Sequence, residues 1–290
     1  MKILLTGGSG QLAQELHPIL LSSGEVIAVD RARLDLSQPE TIRQAIGEIQ
    51  PHLVVNAGAY TAVDKAETEP ELAQAVNGIA PGILAEECEK LGSTLIHIST
   101  DYVFDGSQGS PYQETDSTNP LGTYGKSKLM GEEAIRKAGN RHIIIRTAWV
   151  YGNGGKGNFV KTMLRLGKER EEIRVVADQV GSPTWTGDLA AAISHIIPHV
   201  QPENFGTYQY TNSGVCSWYD FAIAIFEEAE KIGFPLKVQR VVPITTSEYP
   251  TPAKRPAFSV LSSVKISALL GTHPPHWRQG LRQMLAREVK

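Results

Sequence analysis

Short apolar runs alternate with longer segments of helical periodicity along the first half of the chain. The strand candidates, which are rich in β-branched residues, lie at residues 2–6, 26–30, 53–57, 94–99 and 142–147. The helical patterns lie at residues 11–21, 39–49, 70–91 and 120–138. Strands that alternate with helices form parallel sheets, and continuously apolar strands are buried on both faces. The pattern therefore predicts an α/β fold with a doubly wound parallel sheet.

The pattern changes after residue 150. A glycine-rich loop at residues 152–157 precedes shorter mixed elements, and a proline-rich stretch follows at residues 243–256. We therefore predict a core domain over residues 1–150, with a returning segment at about 175–215, and a smaller lobe over residues 151–290.

Composition excludes several classes of protein. Of 290 residues, 41% are hydrophobic and 20% charged, with a net charge of -3, as in ordinary globular proteins. No basic run suits a nucleic acid, and no apolar stretch approaches the roughly 18 residues of a membrane span. Because Met1 leads into a strand within a few residues, without the pattern of a signal peptide, we expect a cytoplasmic protein.

The cysteines and histidines do not form ligand motifs. Cys88 and Cys216 are the only cysteines and belong to no CxxC pair, and the eight histidines show no HExxH spacing. We therefore predict neither a disulfide framework nor a zinc site, and expect these side chains to pack in the core or lie at the surface.

A glycine-rich turn, Thr6-Gly7-Gly8-Ser9-Gly10, follows the first strand and opens the first helix. Glycines there let backbone N–H groups approach a pyrophosphate, and Asp30, at the end of the second strand, can accept the adenosine ribose hydroxyls. The alternative is a tight turn without a ligand. The predicted contacts in this Rossmann-like domain are Gly7, Gly10, Gln11, Leu12 and Asp30, with Asp35 and Leu36 beside the adenine.

The choice between NADH and NADPH stays open. Asp30 favours NADH because its carboxylate repels a 2′-phosphate. Arg31 and Arg33 follow it, however, and either guanidinium can pair with that phosphate.

Tyr124 and Lys128 stand four residues apart within a predicted helix, so they share one face. An ammonium beside a phenol lowers the pKa of the phenol, and the pair therefore predicts a proton-transfer site. The same spacing also arises by chance, with the tyrosine packed and the lysine solvated. Ser99 and Thr100 end the fourth strand, at the edge where parallel sheets bind ligands, and of these two hydroxyls we favour Thr100.

The glycine turn, the strand-end hydroxyl and the Tyr124–Lys128 spacing together resemble the extended short-chain dehydrogenase/reductase family. The resemblance implies that Tyr124 is the acid/base, that Lys128 holds the nicotinamide ribose and tunes the tyrosine, and that Thr100 hydrogen-bonds the reacting oxygen. It also places Asn77 where the family has a helix asparagine that supports the active site, although a structural role in its helix is equally expected.

Further motifs, spread over nearly the whole chain, are similar to those of nucleotide-sugar reductases in this family. They lie at residues 55–67, 99–104, 146–152, 158–164, 178–184 and 249–256. The resemblance implies reduction of a sugar ketone by NADH or NADPH. Implied cofactor contacts are Ala57, Ala59, Tyr60, Thr61, Ile98, Tyr124 and Lys128. Implied nucleotide-sugar contacts are Val63, Thr100, Asp101, Tyr124, Trp149, Asn158 and Arg255, although Trp149 is also explained as a core aromatic.

Two other functions stay open. Dehydratases of the family carry an Asp-Glu pair after the threonine, whereas Thr100 is followed by Asp101-Tyr102, and reducing epimerases need a Cys–His pair that Cys216 does not evidently have. A non-catalytic subunit resembling the regulatory subunit of methionine adenosyltransferase is the second alternative.

Some members of the family form homodimers bridged by Mg²⁺, so the resemblance admits a homodimer here, and the oligomeric state stays open. Glu15 and Glu288 are the candidate ligands, but Gly187-Asp188 does not clearly supply a third acid. Exposed helix carboxylates are the slightly favoured alternative.

Overall fold

The computed structural model describes residues 1–288. Its strands are β1 (Lys2–Thr6), β2 (Glu25–Val29), β3 (Leu53–Asn56), β4 (Thr94–Thr100), β5 (His142–Thr147), β6 (Val150–Tyr151), β7 (Glu172–Val176), β8 (Val180–Gly181), β9 (Thr184–Trp185), β10 (Gly206–Gln209), β11 (Cys216–Ser217) and β12 (Arg240–Ile244). Its α-helices are α1 (Gln11–Leu20), α2 (Pro39–Ile49), α3 (Val63–Ala66), α4 (Pro70–Gln74), α5 (Ala80–Leu91), α6 (Thr123–Ala138), α7 (Phe159–Glu169), α8 (Thr186–Ile196), α9 (Trp218–Lys231), α10 (Val264–Leu270) and α11 (Trp277–Glu288).

Six strands form a central sheet in the order β10-β5-β4-β3-β1-β2, and every neighbouring pair in it is parallel. Helices cover both faces. On one face, α1 and α8 bury Leu16 and Ile193 against the strands, and on the other α2 and α5 bury Ile46 and Leu84. The prediction of a doubly wound parallel sheet is confirmed.

Two of the predicted helices differ in detail from those observed. The segment predicted as one helix over residues 70–91 is interrupted by a π-helical stretch, Ala75–Ile79, between α4 and α5. The helix predicted from residue 120 begins at Thr123, because the Glu67 carboxylate accepts hydrogen bonds from the backbone N–H of Thr123 (2.8 Å) and from its hydroxyl (2.9 Å). A carboxylate at a helix start satisfies a free N–H group and complements the helix dipole.

A separate hydrophobic cluster lies in the second half of the chain. It is built by α7, α9, α11 and β7 around Phe221, Met163 and Leu281, while β10 returns to pair with β5 of the central sheet. We propose on this basis the predicted division into a core domain with a returning segment and a smaller lobe. Within residues 1–288, no helix has both the length and the apolar character to cross a bilayer.

Candidate active site

Polar side chains gather where β1, β3 and β4 end at one edge of the sheet. Thr6 and Asn56 are register partners, and Asn56 is the register partner of His97 in β4. β4 continues to Thr100, which is the register partner of Thr147 at the end of β5. Because all these strands are parallel, the predicted cofactor and reacting residues meet at the carboxyl edge, where ligands bind in such sheets.

The glycine turn between β1 and α1 has the geometry that a pyrophosphate site requires. Gly7 adopts φ +70°, and a Cβ there would lie 2.8 Å from the Cα of Gly58. Gly10 is the N-cap of α1, and its N–H donates to the carbonyl of Gly7 at 2.7 Å. The first turn of α1 contains no acidic residue, so its free N–H groups face the turn without a competing anion. These residues fit a dinucleotide.

The adenosine side of the site distinguishes the two arginines. Arg31 donates to the carboxylate of Asp35 at 3.0 Å, and that carboxylate also accepts the Ser37 N–H at 2.9 Å. Arg33 forms no ion pair within the described chain and lines a cavity of about 380 Å³ with Asp30 and Gly8. Arg33 is therefore the arginine that is free to meet a 2′-phosphate, while Asp35 holds the turn that carries it.

The hydroxyls of Ser99 and Thr100 point to different partners because successive residues of a strand face opposite sides. Ser99 donates to the buried carboxylate of Glu132 at 2.6 Å, whereas Thr100 donates to Asp101 at 3.0 Å and accepts from the N–H of Tyr102 at 3.2 Å. Thr100 also acts on the Tyr124 hydroxyl, whose pKa it lowers. The geometry thus supports the choice of Thr100.

Helix α6 reaches this strand end because Gly125 follows Tyr124. A Cβ on Gly125 would lie 2.2 Å from the carbonyl oxygen of Tyr102, so a larger residue would push the helix away. The rings of Tyr102 and Tyr124 meet edge to face with centroids 5.5 Å apart. The glycine in the Tyr-Gly-Lys-Ser-Lys motif therefore allows α6 to approach the end of β4 closely.

The expectation that Lys128 lowers the pKa of the Tyr124 phenol is wrong. Burial raises the pKa of Tyr124 to about 12, although the nearby Thr100 side chain opposes the rise. The Lys128 ammonium nitrogen instead lies 2.6 Å from the carbonyl oxygen of Ile98 and 3.2 Å from Nε2 of His97. Tyr124 is therefore a protonated phenol at neutral pH, the form that an acid must have.

Lys128 itself is an unusual buried cation, only 2% exposed. Burial lowers its pKa to about 8, and the Glu132 carboxylate one turn along α6 opposes that change. Glu132 is fully buried and pairs with Arg146 through two hydrogen bonds of 2.9 Å and 2.7 Å. The lysine thus titrates near neutral pH.

Asp101 is the second buried carboxyl group at the site. Burial raises its pKa to about 6, while the nearby Ser259 side chain and the hydrogen bond from Thr100 act in the opposite direction. Its second oxygen, Oδ2, has no hydrogen-bond partner within residues 1–288. A buried unpaired acceptor beside Thr100 fits contact with a polar ligand, as the resemblance implies.

Asn77 holds the loop that follows β3. Its amide accepts the N–H of Tyr60 at 2.9 Å and donates to the carbonyl of Tyr60 at 2.9 Å and to the Ser127 hydroxyl at 3.1 Å. Asn77 lies in the π-helical stretch Ala75–Ile79, where the irregular backbone turns its side chain toward α6. Asn77 therefore connects the loop that carries Ala59, Tyr60 and Thr61 to the helix that carries Tyr124.

The predicted substrate residues occupy three separate places. Arg255 donates to Asp64 at 2.8 Å, next to Val63 at the start of α3. Trp149, at φ +47°, stacks on Trp218 with ring centroids 3.5 Å apart.

Asn158, by contrast, caps α7 by accepting from Lys161. Its amide nitrogen donates to the carbonyl of Gly152 at 2.8 Å and to Gln11 at 3.2 Å. These contacts place Asn158 at the glycine-turn side of the site.

The candidate metal ligands have other partners. Glu15 pairs with Arg287 at 2.9 Å, Glu288 accepts from Asn153 at 2.8 Å, and Asp188 accepts from Asn212 at 2.7 Å. Over residues 1–288, no three His, Cys, Asp or Glu side chains form a group able to hold a metal. The donor set within one chain does not fit Mg²⁺.

Several residues of the site were not anticipated from the sequence. They are Asn56, His97, Glu132 and Trp218. A single histidine inside an apolar strand carries no motif, and Trp218 is distant from Trp149 in the chain, so no local signal marked them.

The parallel sheet, the glycine turn and the Tyr124–Lys128–Thr100 arrangement define an extended short-chain dehydrogenase/reductase. More narrowly, the chain belongs to the family described as "RmlD substrate binding domain", whose model matches residues 1–289. It is 46% identical over 286 residues to a dTDP-4-dehydrorhamnose reductase of Burkholderia thailandensis, covering 96% of each chain.

Two solved structures support this assignment. A dTDP-4-dehydrorhamnose reductase of Clostridium acetobutylicum has a TM-score of 0.93 and 41% identity, covering 100% of both chains. That of Bacillus anthracis, in complex with NADP, has a TM-score of 0.92 and 39% identity, covering 99% of both.

Proposed function

We propose that the protein reduces the C4 ketone of dTDP-4-dehydro-β-L-rhamnose to dTDP-L-rhamnose, the last step of dTDP-rhamnose synthesis. The observation that carries the proposal is the position of Tyr124, which packs against Tyr102 just beyond Thr100 at the carboxyl edge of the sheet, one helical turn from Lys128. The reductases named above match the chain over nearly its full length, which supports the choice of substrate.

The cofactor is NADPH or NADH, bound by the glycine turn and the residues around Asp30. NADP in the Bacillus anthracis relative favours NADPH, and so does Arg33, which has no ion pair within residues 1–288. The bound cofactor supplies the hydride.

The chain's own residues handle the proton and the ketone oxygen. Tyr124, protonated at neutral pH, donates its proton to the oxygen as negative charge develops there. Thr100, whose hydroxyl can rotate away from Asp101, donates to the same oxygen and orients it. Lys128 in its charged form would donate to the ribose of the cofactor. Together these groups lower the barrier where charge appears.

Residues on both halves of the chain bind the substrate's diphosphate and sugar. Arg255 carries a planar guanidinium suited to bidentate contact with a phosphate, and Val63 lies beside its partner Asp64. Trp149 and Asp101 border the deoxysugar, the indole against its apolar face and the carboxyl group as a polar contact. Asn158 contributes from the glycine-turn side.

Steady-state oxidation of NADPH and of NADH, measured by absorbance with dTDP-4-dehydrorhamnose supplied, tests this function. We expect net oxidation of the cofactor and formation of dTDP-L-rhamnose. An epimerase or dehydratase would instead retain NAD through purification and consume no reduced cofactor. A non-catalytic binding subunit would show no turnover at all. Either of these results would overturn the proposal.

The proposal includes a cytoplasmic location and a homodimer. Both rest on the sequence pattern and the family resemblance. Sedimentation of the purified protein measures its mass directly, and a monomer at micromolar concentration would remove the homodimer from the proposal.

A further inference from the structure

A continuous chain of buried polar groups runs beneath the sheet edge from the glycine turn to Lys128. The N–H of Gly58 donates to the Thr6 hydroxyl at 3.3 Å, and that hydroxyl donates to the amide oxygen of Asn56 at 2.6 Å. The Asn56 amide nitrogen lies 3.0 Å from Nδ1 of His97, and Nε2 of the same ring lies 3.2 Å from the ammonium nitrogen of Lys128. The chain thus joins the cofactor end to the reacting end.

The side chains in the middle of this chain are shielded from water. Asn56 and His97 are both 0% exposed, and Thr6 is 1% exposed. A buried polar group must find a partner or bear the cost of desolvation, so each of these contacts restricts its neighbours. The orientation of the Asn56 amide therefore decides which ring nitrogen of His97 carries a proton.

Two arrangements of protons satisfy the chain. With its nitrogen toward His97, Asn56 donates to Nδ1, so Nε2 carries the ring proton and donates to Lys128 as a neutral amine. If the amide turns over, its oxygen accepts from Nδ1–H, and Nε2 becomes an acceptor for a charged Lys128. The amide nitrogen then donates to Thr6. Each arrangement fits one charge state of the lysine.

The surroundings keep His97 itself neutral. Burial and the nearby Lys128, with a contribution from His142 on β5, hold the pKa of His97 well below its usual value. The other ionisable group that acts on Lys128 lies on its own helix: Glu132, which favours its charge and is itself paired with Arg146 on β5. A neutral imidazole can accept from an ammonium without charge repulsion, which a second cation cannot do.

We propose that His97 is a positioning residue that holds the amine of Lys128 in place and, together with Asn56, determines whether Lys128 is a charged donor or a neutral acceptor. The proposal rests on the assignment of Lys128 to the reductase site. It adds a dependence that the site residues alone do not have: the charge of Lys128 is coupled through Asn56 and Thr6 to the turn that holds the cofactor.

Two amide substitutions separate the two ring nitrogens. In His97→Gln the side-chain amide reaches the position of Nε2 and can still accept from Lys128, whereas in His97→Asn it replaces only Nδ1 and cannot reach the lysine. His52→Gln is the control, because His52 precedes β3 at the opposite edge of the sheet, where its Nδ1 accepts from the N–H of Lys2 at 3.1 Å.

The measurement is kcat against pH at saturating NADPH and nucleotide sugar. Without its acceptor, buried Lys128 loses its charge at lower pH, so H97N should move the alkaline fall in kcat downward by about one pH unit, roughly 1.4 kcal/mol. H97Q and H52Q should keep the wild-type profile to within about 0.3 pH units. A purely structural role would reduce the folded fraction, seen by thermal denaturation, without separating H97N from H97Q.

If kcat falls at the same alkaline pH in folded H97N and folded H97Q, the proposal is overturned. If H97N does not fold, His97→Met takes its place with the same expected shift, because methionine fills the space with a flexible apolar chain. If wild-type enzyme does not reduce the ketosugar, the proposed function fails separately. NADPH affinity against pH, followed by fluorescence, then tests His97 in the same variants, and equal profiles would again overturn the proposal.

Discussion

Arg255 donates a hydrogen bond of 2.8 Å to the carboxylate of Asp64, and so joins the proline-rich segment to α3 beside the reacting end. The two side chains are 22% and 41% exposed, and such partly solvated pairs contribute at most about 1 kcal/mol to stability. The arginine is therefore held at the cleft by a weak partner that a more highly charged diphosphate can replace.

Arg255→Ala should consequently affect binding far more than stability. We expect KM for the nucleotide sugar to rise roughly tenfold, the loss of one charge-assisted contact, with KM for NADPH unchanged. Asp64→Asn is the control, because it leaves the guanidinium in place and should not raise KM. An unaltered KM in R255A would show that the diphosphate binds elsewhere.

The two arginines after Asp30 should differ in their effect on cofactor preference. Arg33 is unpaired within residues 1–288 whereas Arg31 is bound to Asp35, so Arg33→Ala should weaken NADPH binding about tenfold and leave NADH binding unchanged. Arg31→Ala serves as the matched control. Titration of both nucleotides by fluorescence measures the effect, and equal losses for NADPH and NADH in R33A would refute it.

Asn77 should matter for both stability and the cofactor site. It makes three hydrogen bonds to Tyr60 and Ser127 while 1% exposed, so Asn77→Ala leaves buried groups unpaired and should cost about 2 kcal/mol. The freed Tyr60 loop should also raise KM for NADPH. Urea unfolding and steady-state kinetics measure the two effects. An unchanged urea midpoint would show that Asn77 does not hold the Tyr60 loop in place.

Asp101 should make the folded protein lose stability as pH rises through about 6. Burial raises its folded pKa from 3.8 to about 6, so the folded state holds its proton more tightly than the unfolded state does. The stabilisation is complete below about pH 4 and is lost as pH rises to about 6, an effect of roughly 3 kcal/mol or less.

Asp101→Asn removes this titration while preserving the shape of the side chain. The difference in unfolding free energy, variant minus wild type, should therefore grow in favour of the variant between about pH 4 and about pH 6 and then level off. Urea unfolding across this range measures it. A difference that stays constant with pH would show that Asp101 has an ordinary pKa.

The sequence predicted the parallel sheet because its strands are continuous β-branched runs, and the glycine turn because its position after β1 is specific. The π-helical stretch Ala75–Ile79 could not be predicted, since apolar periodicity does not distinguish one wide helical turn from regular helix. The start of α6 was misplaced because its cap, Glu67, is distant in sequence.

The candidate site was predicted less completely than the fold, because side-chain partners depend on tertiary contacts. The spacing of Tyr124 and Lys128 marked the helix face correctly, but it suggested a direct pairing. In the structure, the side-chain nitrogen of Lys128 instead contacts the carbonyl of Ile98 and the ring of His97. Arg255 likewise carries a partner, Asp64, that no local pattern indicates.

The most direct test of Tyr124 as the acid is single-turnover oxidation of NADPH by the Tyr124→Phe variant with dTDP-4-dehydrorhamnose. The variant keeps the aromatic ring but has no proton to donate, so we predict a rate roughly 100- to 10,000-fold below wild type, with NADPH affinity unchanged. Tyr208→Phe on β10, which removes a hydroxyl that donates to the Asn204 carbonyl, should retain the wild-type rate. A rate for Y124F within about threefold of wild type would contradict the assignment of Tyr124 as the acid.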